Sequence, residues 1–244
     1  MNRIFLLEMD KLILGSCWEL QVGVNGYEKL DGNDLATQAS AGRHFEILQI
    51  PIRQKDSSRI MVRLLEDGYE CWLSISEILG NALLKDSWKP NLLTSHQIRN
   101  RIPMVLEWIK KMSLIPNQYL WGGTIGPNFD CSGLVQAAFA SEGIWLPRDA
   151  YQQEKFCMEV EFSVENFQFL RPGDLIFFGT KQRCDHVAIY TGDGKYCHSS
   201  GSSNGLNGIG VNAFDAMDPI SSYYQSLVRS AGRIERCHDG STII

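Results

Sequence analysis

The sequence has no long apolar run. Its N-terminal stretch, MNRIFLLEMDKLIL, is apolar only over residues 4–7 before Glu8 and Asp10 interrupt it. That is too short and too acidic for a signal peptide. Nothing elsewhere approaches the roughly 20 apolar residues of a membrane helix. The expectation is a cytoplasmic protein that engages no membrane. A long basic run is also missing and the net charge is −5, so nucleic acid is a poor partner. The seven cysteines are an odd number without paired spacing, which argues against a disulfide framework and for reduced thiols. No repeat or low-complexity tract is present. What remains is an ordinary globular balance over 244 residues, 44% apolar and 21% charged. That is enough for one large domain or two small ones, and it leaves the oligomeric state open.

Two textures divide the chain. From about 11 to 79 the pattern is short and strand-like. Ile60, Val62 and Leu64 alternate in SRIMVRLLEDGYECWLS, and Glu66-Asp67-Gly68 offers a turn. LATQASAGRHFEILQI reads as a loop and then a strand. Short strands split by turns predict a small barrel or sandwich. GNALLKDSWKPNLLT, residues 80–94, reads as the linker. Ile98, Ile102, Val105, Leu106 and Ile109 follow at helical spacing, with Pro103 as a start or a kink and Pro116 as the stop. A second helix is expected from Cys131 to about Glu142, capped by Asp130 and stopped by Gly143. DLIFFGT, HVAIYTG and GKYCHSS are strand candidates. The predicted class is α+β, with domains at 1–86 and 87–244.

The stretch NFDCSGLVQ, residues 128–136, places a thiol at the first turn of an apolar helix. Free N–H groups there favour a thiolate and lower its pKa. A nucleophile also needs a base in reach and a group to orient that base. His186 and His198 flank HVAIYTGDGKYCH. A three-residue loop with Gly194 left-handed pairs Thr191 with Lys195 and Ala188 with His198. The two histidines then become diagonal neighbours on one face, roughly 7–8 Å apart at the backbone. A two-residue loop would put them on opposite faces. The resulting order is Cys131, His186, His198, the logic of a papain-like cysteine peptidase.

YLWGG (119–123), FDCSGLV (129–135), LPR (146–148), RPGDLIFF (171–178) and DHVAIYTGDGKYCHSS (185–200) resemble the NlpC-type cell-wall cysteine peptidases. The likeness covers about the last 140 residues. The first part, with GYECWL (68–73), resembles the bacterial Src-homology-3-like barrels attached to such peptidases, most like the two-domain cyanobacterial enzymes. Cys71 stands where a small turn residue such as Gly is expected. The resemblance implies a papain-like fold of helices and antiparallel sheet behind a small all-β barrel. It implies cleavage of peptidoglycan stem peptides between D-γ-glutamate and an L-diamino acid such as meso-diaminopimelate. The peptide partner it implies is L-Ala-γ-D-Glu-diamino acid with a free amine, in cell-wall recycling. By motif position Cys131 is the nucleophile, His186 the base and His198 the third member, with the Tyr119 hydroxyl near the oxyanion. No cofactor and no metal is needed.

Asp130 and Ser132, with Tyr69 from the barrel, are expected to hold the substrate ammonium; an N-cap role for Asp130 is equally open. Arg148 suits a substrate carboxylate or a structural pairing, Tyr119 and Trp121 can be core aromatics, more readily Trp121, and Tyr69 and Trp72 can be barrel core. Zinc on Cys184, His186, Cys197 and His198 is disfavoured, since Cys197 and His198 are adjacent on a strand and face opposite ways. Another thiol chemistry on the same fold, an acyltransferase or amidase, stays open, as does a catalytically silent wall-peptide binding protein.

Overall fold

The computed structural model describes residues 5–51 and 58–241. Ile4, the first of the four apolar N-terminal residues, lies outside the described residues. The chain forms two compact units, Met1–Pro90 with Asp239–Ile244, and Asn91–His238.

The first unit is an all-β, Src-homology-3-like domain. Its strands are β1 (Cys17–Leu20), β2 (Val24–Tyr27), β3 (Leu35–Ala39), β4 (His44–Gln49), β5 (Arg59–Leu64), β6 (Glu70–Ser74) and β7 (Ala82–Lys85), with α1 (Ile75–Ile78) before β7. They pair antiparallel in the order β3-β2-β6-β5-β4-β1-β7. Ile60, Val62 and Leu64 alternate inward on β5 and are fully buried with Trp18, Phe45 and Leu73. Each such aliphatic side chain contributes about 1.5–3 kcal/mol on burial. Three local expectations change. LATQA is strand β3: it pairs with β2, and Thr37 and Ala39 are buried. The linker candidate supplies β7, which pairs with β1. Cys71 lies in β6 and not in a turn; a Cβ on Gly26 would meet its sulfur, so the small residue of this contact is Gly26. The Glu66-Asp67-Gly68 turn is pinned by buried Arg43, which donates to Glu66 (3.2 Å) and Asp67 (2.7 Å).

The second unit is the papain-like α+β domain. It contains α2 (Ser95–Ser113), α3 (Cys131–Ala140), α4 (Ala150–Phe156), β8 (Met158–Val160), β9 (Leu175–Gly179), β10 (Cys184–Gly192), β11 (Lys195–Ser200), β12 (Gly208–Ala213), α5 (Pro219–Leu227) and β13 (Val228–Arg233). The antiparallel sheet runs β12-β11-β10-β9-β13-β8. A Thr94–Gln97 capping box starts α2 well before Pro103, which therefore sits inside the helix. Ile98, Val105 and Ile109 form its buried stripe. The start of α3 at Cys131 matches the sequence reading, and Gly143, at φ +72°, follows its end.

Candidate active site

The hairpin of β10 and β11 decides where the histidines point. Asp193 and Gly194 have φ of +51° and +70°, a two-residue turn of the mirror-image type. Such a loop alone would put His186 and His198 on opposite faces. A bulge at Thr191 shifts the register back, so that Tyr190 pairs with Tyr196 and Ile189 with Cys197. The expected three-residue loop is thus replaced by a two-residue turn plus one bulged residue, with the same pairing beyond it. His186 Nε2 lies 2.7 Å from His198 Nδ1.

The diagonal continues across the next strand. His198 pairs with Gly210, so Asn212 is its diagonal neighbour on β12, and His198 Nε2 lies 2.9 Å from Asn212 Oδ1. His186, His198 and Asn212 form a row across three strands. Tyr224 of α5 packs on both rings, with centroids 4.8 Å from His186 and 4.5 Å from His198. Phe178 and Tyr196 add further ring contacts. His198 and Asn212 are buried and His186 is half-buried. Desolvation pushes the His198 pKa down to about 4, and desolvation and the neighbouring His198 push that of His186 well below its ordinary 6.5. Both rings are neutral near pH 7.

Cys131 is the first residue of α3 and is buried. Its sulfur receives backbone N–H groups of Val187, the residue after His186, and of Ser132. The helix start therefore abuts β10 beside the base candidate. The sequence leads to a depressed thiol pKa, but burial first and then the Asp130 carboxylate push it up to about 12. Tyr119 stands near Cys131, and burial raises its phenol above its ordinary range.

The helix start rests on a buried ion pair. Arg148 donates to both Asp130 oxygens, at 3.2 and 2.6 Å, and to Ser132 Oγ at 2.9 Å. Asp130 also caps α3 through Gly133 N–H (2.6 Å) and accepts Gly122 N–H (2.9 Å). Gly122, at φ +77°, turns the YLWGG segment onto the cap, and a Cβ on Gly133 would collide with the Gly123 carbonyl. Of the two readings of Arg148, the structure selects the structural pairing. Trp121, assigned to the core, is 65% exposed. Tyr69 belongs to the first unit, packs partly against its core and donates its N–H to Asp67. The sequence reading brings Cys131, His186, His198, Tyr119, Asp130 and Ser132 to one place, and the second unit contains all six. It missed Asn212 and Tyr224. All seven cysteines are free. Among the described residues no group of three or more metal-ligating side chains is placed to hold an ion, and no helix is long and apolar enough to cross a membrane.

Residues 116–233 match the NlpC/P60 family, and residues 27–78 match the bacterial dipeptidyl-peptidase Sh3 domain. The chain carries an NlpC/P60 domain. The NlpC/P60 domain and its Sh3 companion have curated relatives. A gamma-D-glutamyl-L-lysine dipeptidyl-peptidase of Bacillus cereus is 30% identical over 67% of this chain and 45% of the relative. Dipeptidyl-peptidase 6 of Lysinibacillus sphaericus is 36% identical over 48% and 38%. A gamma-D-glutamyl-L-lysine dipeptidyl-peptidase of Bacillus subtilis is 39% identical over 33% and 27%. The chain thus spans less than half the length of these relatives in each match.

Proposed function

We propose that this NlpC/P60 protein is a cysteine peptidase that cleaves peptidoglycan stem peptides between D-γ-glutamate and an L-diamino acid. The observation that carries the reading is the meeting of Cys131, at a helix start, with β10 beside His186, whose Nε2 is already bound to His198. The free ring nitrogen of His186, Nδ1, takes the thiol proton as Cys131 Sγ bonds to the γ-amide carbonyl carbon. The oxyanion develops near the backbone N–H groups of the helix start, with the Tyr119 hydroxyl as a further donor. His186 returns the proton to the leaving amine as the C–N bond breaks, and water then hydrolyses the thioester. Asp130 and Ser132 are the proposed amine-side contacts. Arg148 balances the charge of Asp130, so an ammonium there is read by hydrogen bonding and not by a free carboxylate charge. The bond assignment draws on the relatives' printed names and the family motifs.

The test is incubation with L-Ala-γ-D-Glu-meso-diaminopimelate and with its L-lysine counterpart, reading the released L-Ala-γ-D-Glu by mass spectrometry. The dipeptide should form with at least one substrate and vanish in Cys131→Ala, whose unfolding curve stays as in the parent. No dipeptide from either substrate refutes the bond assignment, and dipeptide from folded Cys131→Ala refutes the nucleophile.

A further inference from the structure

A groove follows α2. Two cavities, of about 290 and 390 Å³, adjoin at Pro103 and Leu106, which line both. The first lies against the 171–174 turn and Arg233 at the end of β13; the second lies against Cys197 of β11 and Val211 of β12. Cys197 and Val211 are paired, and each is one residue from His198 or Asn212, so both face away from the histidine row. Two rulers give the length. Along the helix the groove reaches from Arg99 to Ser113, fourteen residue steps or about 21 Å. Across the sheet it reaches from β13 to β12, four strand spacings or about 19 Å.

The two ends differ in charge. Arg99, Arg171 and Arg233 stand at one. Arg233 is bidentate to Asp174, at 2.8 and 2.7 Å, and Glu235 is near it. The guanidinium groups of Arg99 and Arg171 have no hydrogen bond or ion pair among the described residues. At the other end Glu107 and Lys110 offset each other. Between the ends the walls are apolar: Ile102, Pro103, Leu106 and Ile109 of α2, and Val211, which is 56% exposed. Gly173, at φ +95°, brings its turn onto Ile102, where a Cβ would collide, and so closes the floor. The hydroxyls of Ser113 and Thr191 already donate to the Lys110 and Lys195 carbonyls. Most backbone groups of α2 are bonded within the helix. A peptide laid here would therefore bury N–H and C=O groups without partners. An alkyl chain needs no partners, and a free guanidinium fork matches an oxyanion head.

We propose that this groove binds a free single-chain amphiphile, its carboxylate on Arg99 and Arg171 and its alkyl chain along α2 toward Val211. With C–C bonds of about 1.5 Å an extended chain advances about 1.25 Å per carbon, so roughly 16 carbons fill the groove. The site does not depend on the peptidase reading.

The experiment is equilibrium dialysis of the full chain against octanoate and hexadecanoate, each below its micelle-forming concentration. A groove open on one side buries about half of each CH₂, roughly twofold in Kd apiece, so hexadecanoate should bind on the order of 100-fold tighter than octanoate. Hexadecyltrimethylammonium has the same chain and the opposite head, and should bind at least ~10-fold more weakly than hexadecanoate. Arg171 and Val211 are both exposed positions. Arg171→Glu should weaken both carboxylates ~10-fold. Val211→Glu places a charge at the tail end; it should weaken hexadecanoate ~10-fold and leave octanoate, too short to reach it, unchanged. The chain-length and head-group comparisons in the parent decide the matter even where a variant does not fold. Equal affinity for the two carboxylates, equal affinity for the cationic head, or a Val211→Glu variant that weakens octanoate as much as hexadecanoate would overturn the proposal. So would an acidic hexapeptide that binds more tightly than hexadecanoate, or binding to anionic phospholipid vesicles with none of the free amphiphile.

Discussion

Arg148→Met separates a structural role for this arginine from a substrate-binding one. Arg148 is 2% exposed and Asp130 is 6% exposed, so both charges lie away from water. Methionine keeps much of the alkyl volume and removes every donor. Asp130 then retains the Gly122 and Gly133 N–H groups and the Ser132 hydroxyl, but no countercharge on this pair's side. Removing one member of a buried ion pair costs about 3–5 kcal/mol. The surviving hydrogen bonds place the loss at the lower end, about 3 kcal/mol. For a unit of this size that is a fall of roughly 6–12 °C in Tm, read by calorimetry. Adding Asp130→Asn removes the stranded charge while keeping a good N-cap, so the double variant should be more stable than Arg148→Met alone. A loss below about 1 kcal/mol in Arg148→Met would refute the buried-pair argument, as would losses that simply add in the double variant. A substrate-carboxylate role predicts something else: unchanged stability and a raised KM.

The lowered His186 pKa sets the acid limb of activity. The base must be neutral, and its pKa lies well below 6.5, so kcat/KM should hold as pH falls through 6.5 and decline only below it. A pH–rate profile with its acid midpoint at or above 6.5 would contradict the neutral row. The raised thiol makes a second point. Without substrate, Cys131 should be alkylated by iodoacetamide no faster at pH 7 than an ordinary exposed thiol, followed by mass spectrometry of the Cys131 peptide. Selective, fast labelling at pH 7 would show a resting thiolate and refute the neutral pair.

What could be read from the sequence was what is local. Asp130 before Cys131 and Gly143 after the helix are adjacent-residue signals, and α3 begins where they place it. Alternation in RIMVRL is a two-residue period, and β5 buries the expected side. The pairing of the histidine hairpin was legible because it depends on counting across one turn. The means was not legible: a bulge at Thr191 offsets a shorter loop, and both give the same pairing of Ile189 with Cys197. Strand β3 escaped notice because LATQA has no apolar–polar alternation and only one β-branched residue, Thr37, and is strand through its partner. Arg148 lies 18 residues from Asp130, and no period links them. Asn212 was missed for a related reason. It reaches His198 through the pairing of β11 with β12, and the intervening residues carry no regular pattern that would disclose that register.

The same burial that silences the resting thiolate changes what the helix start contributes. A rise of the Cys131 pKa from 9.0 to about 12 is roughly 4 kcal/mol against the anion. A helix N-terminus returns about 0.3–1 kcal/mol at exposed sites and up to ~2 kcal/mol in partly buried ones. Burial therefore outweighs the helix, and the thiol rests protonated beside a neutral imidazole. The N–H groups at the start of α3 then find their partner in charge that arises during reaction, on the carbonyl oxygen as sulfur adds to carbon. An interaction absent from the ground state and present at the barrier raises kcat without tightening substrate binding. In the proposed mechanism the neutral thiol gives up its proton to His186 only as the carbonyl arrives. On this account the position of Cys131 matters less for making an anion than for placing the sulfur between one set of N–H groups and one unprotonated nitrogen.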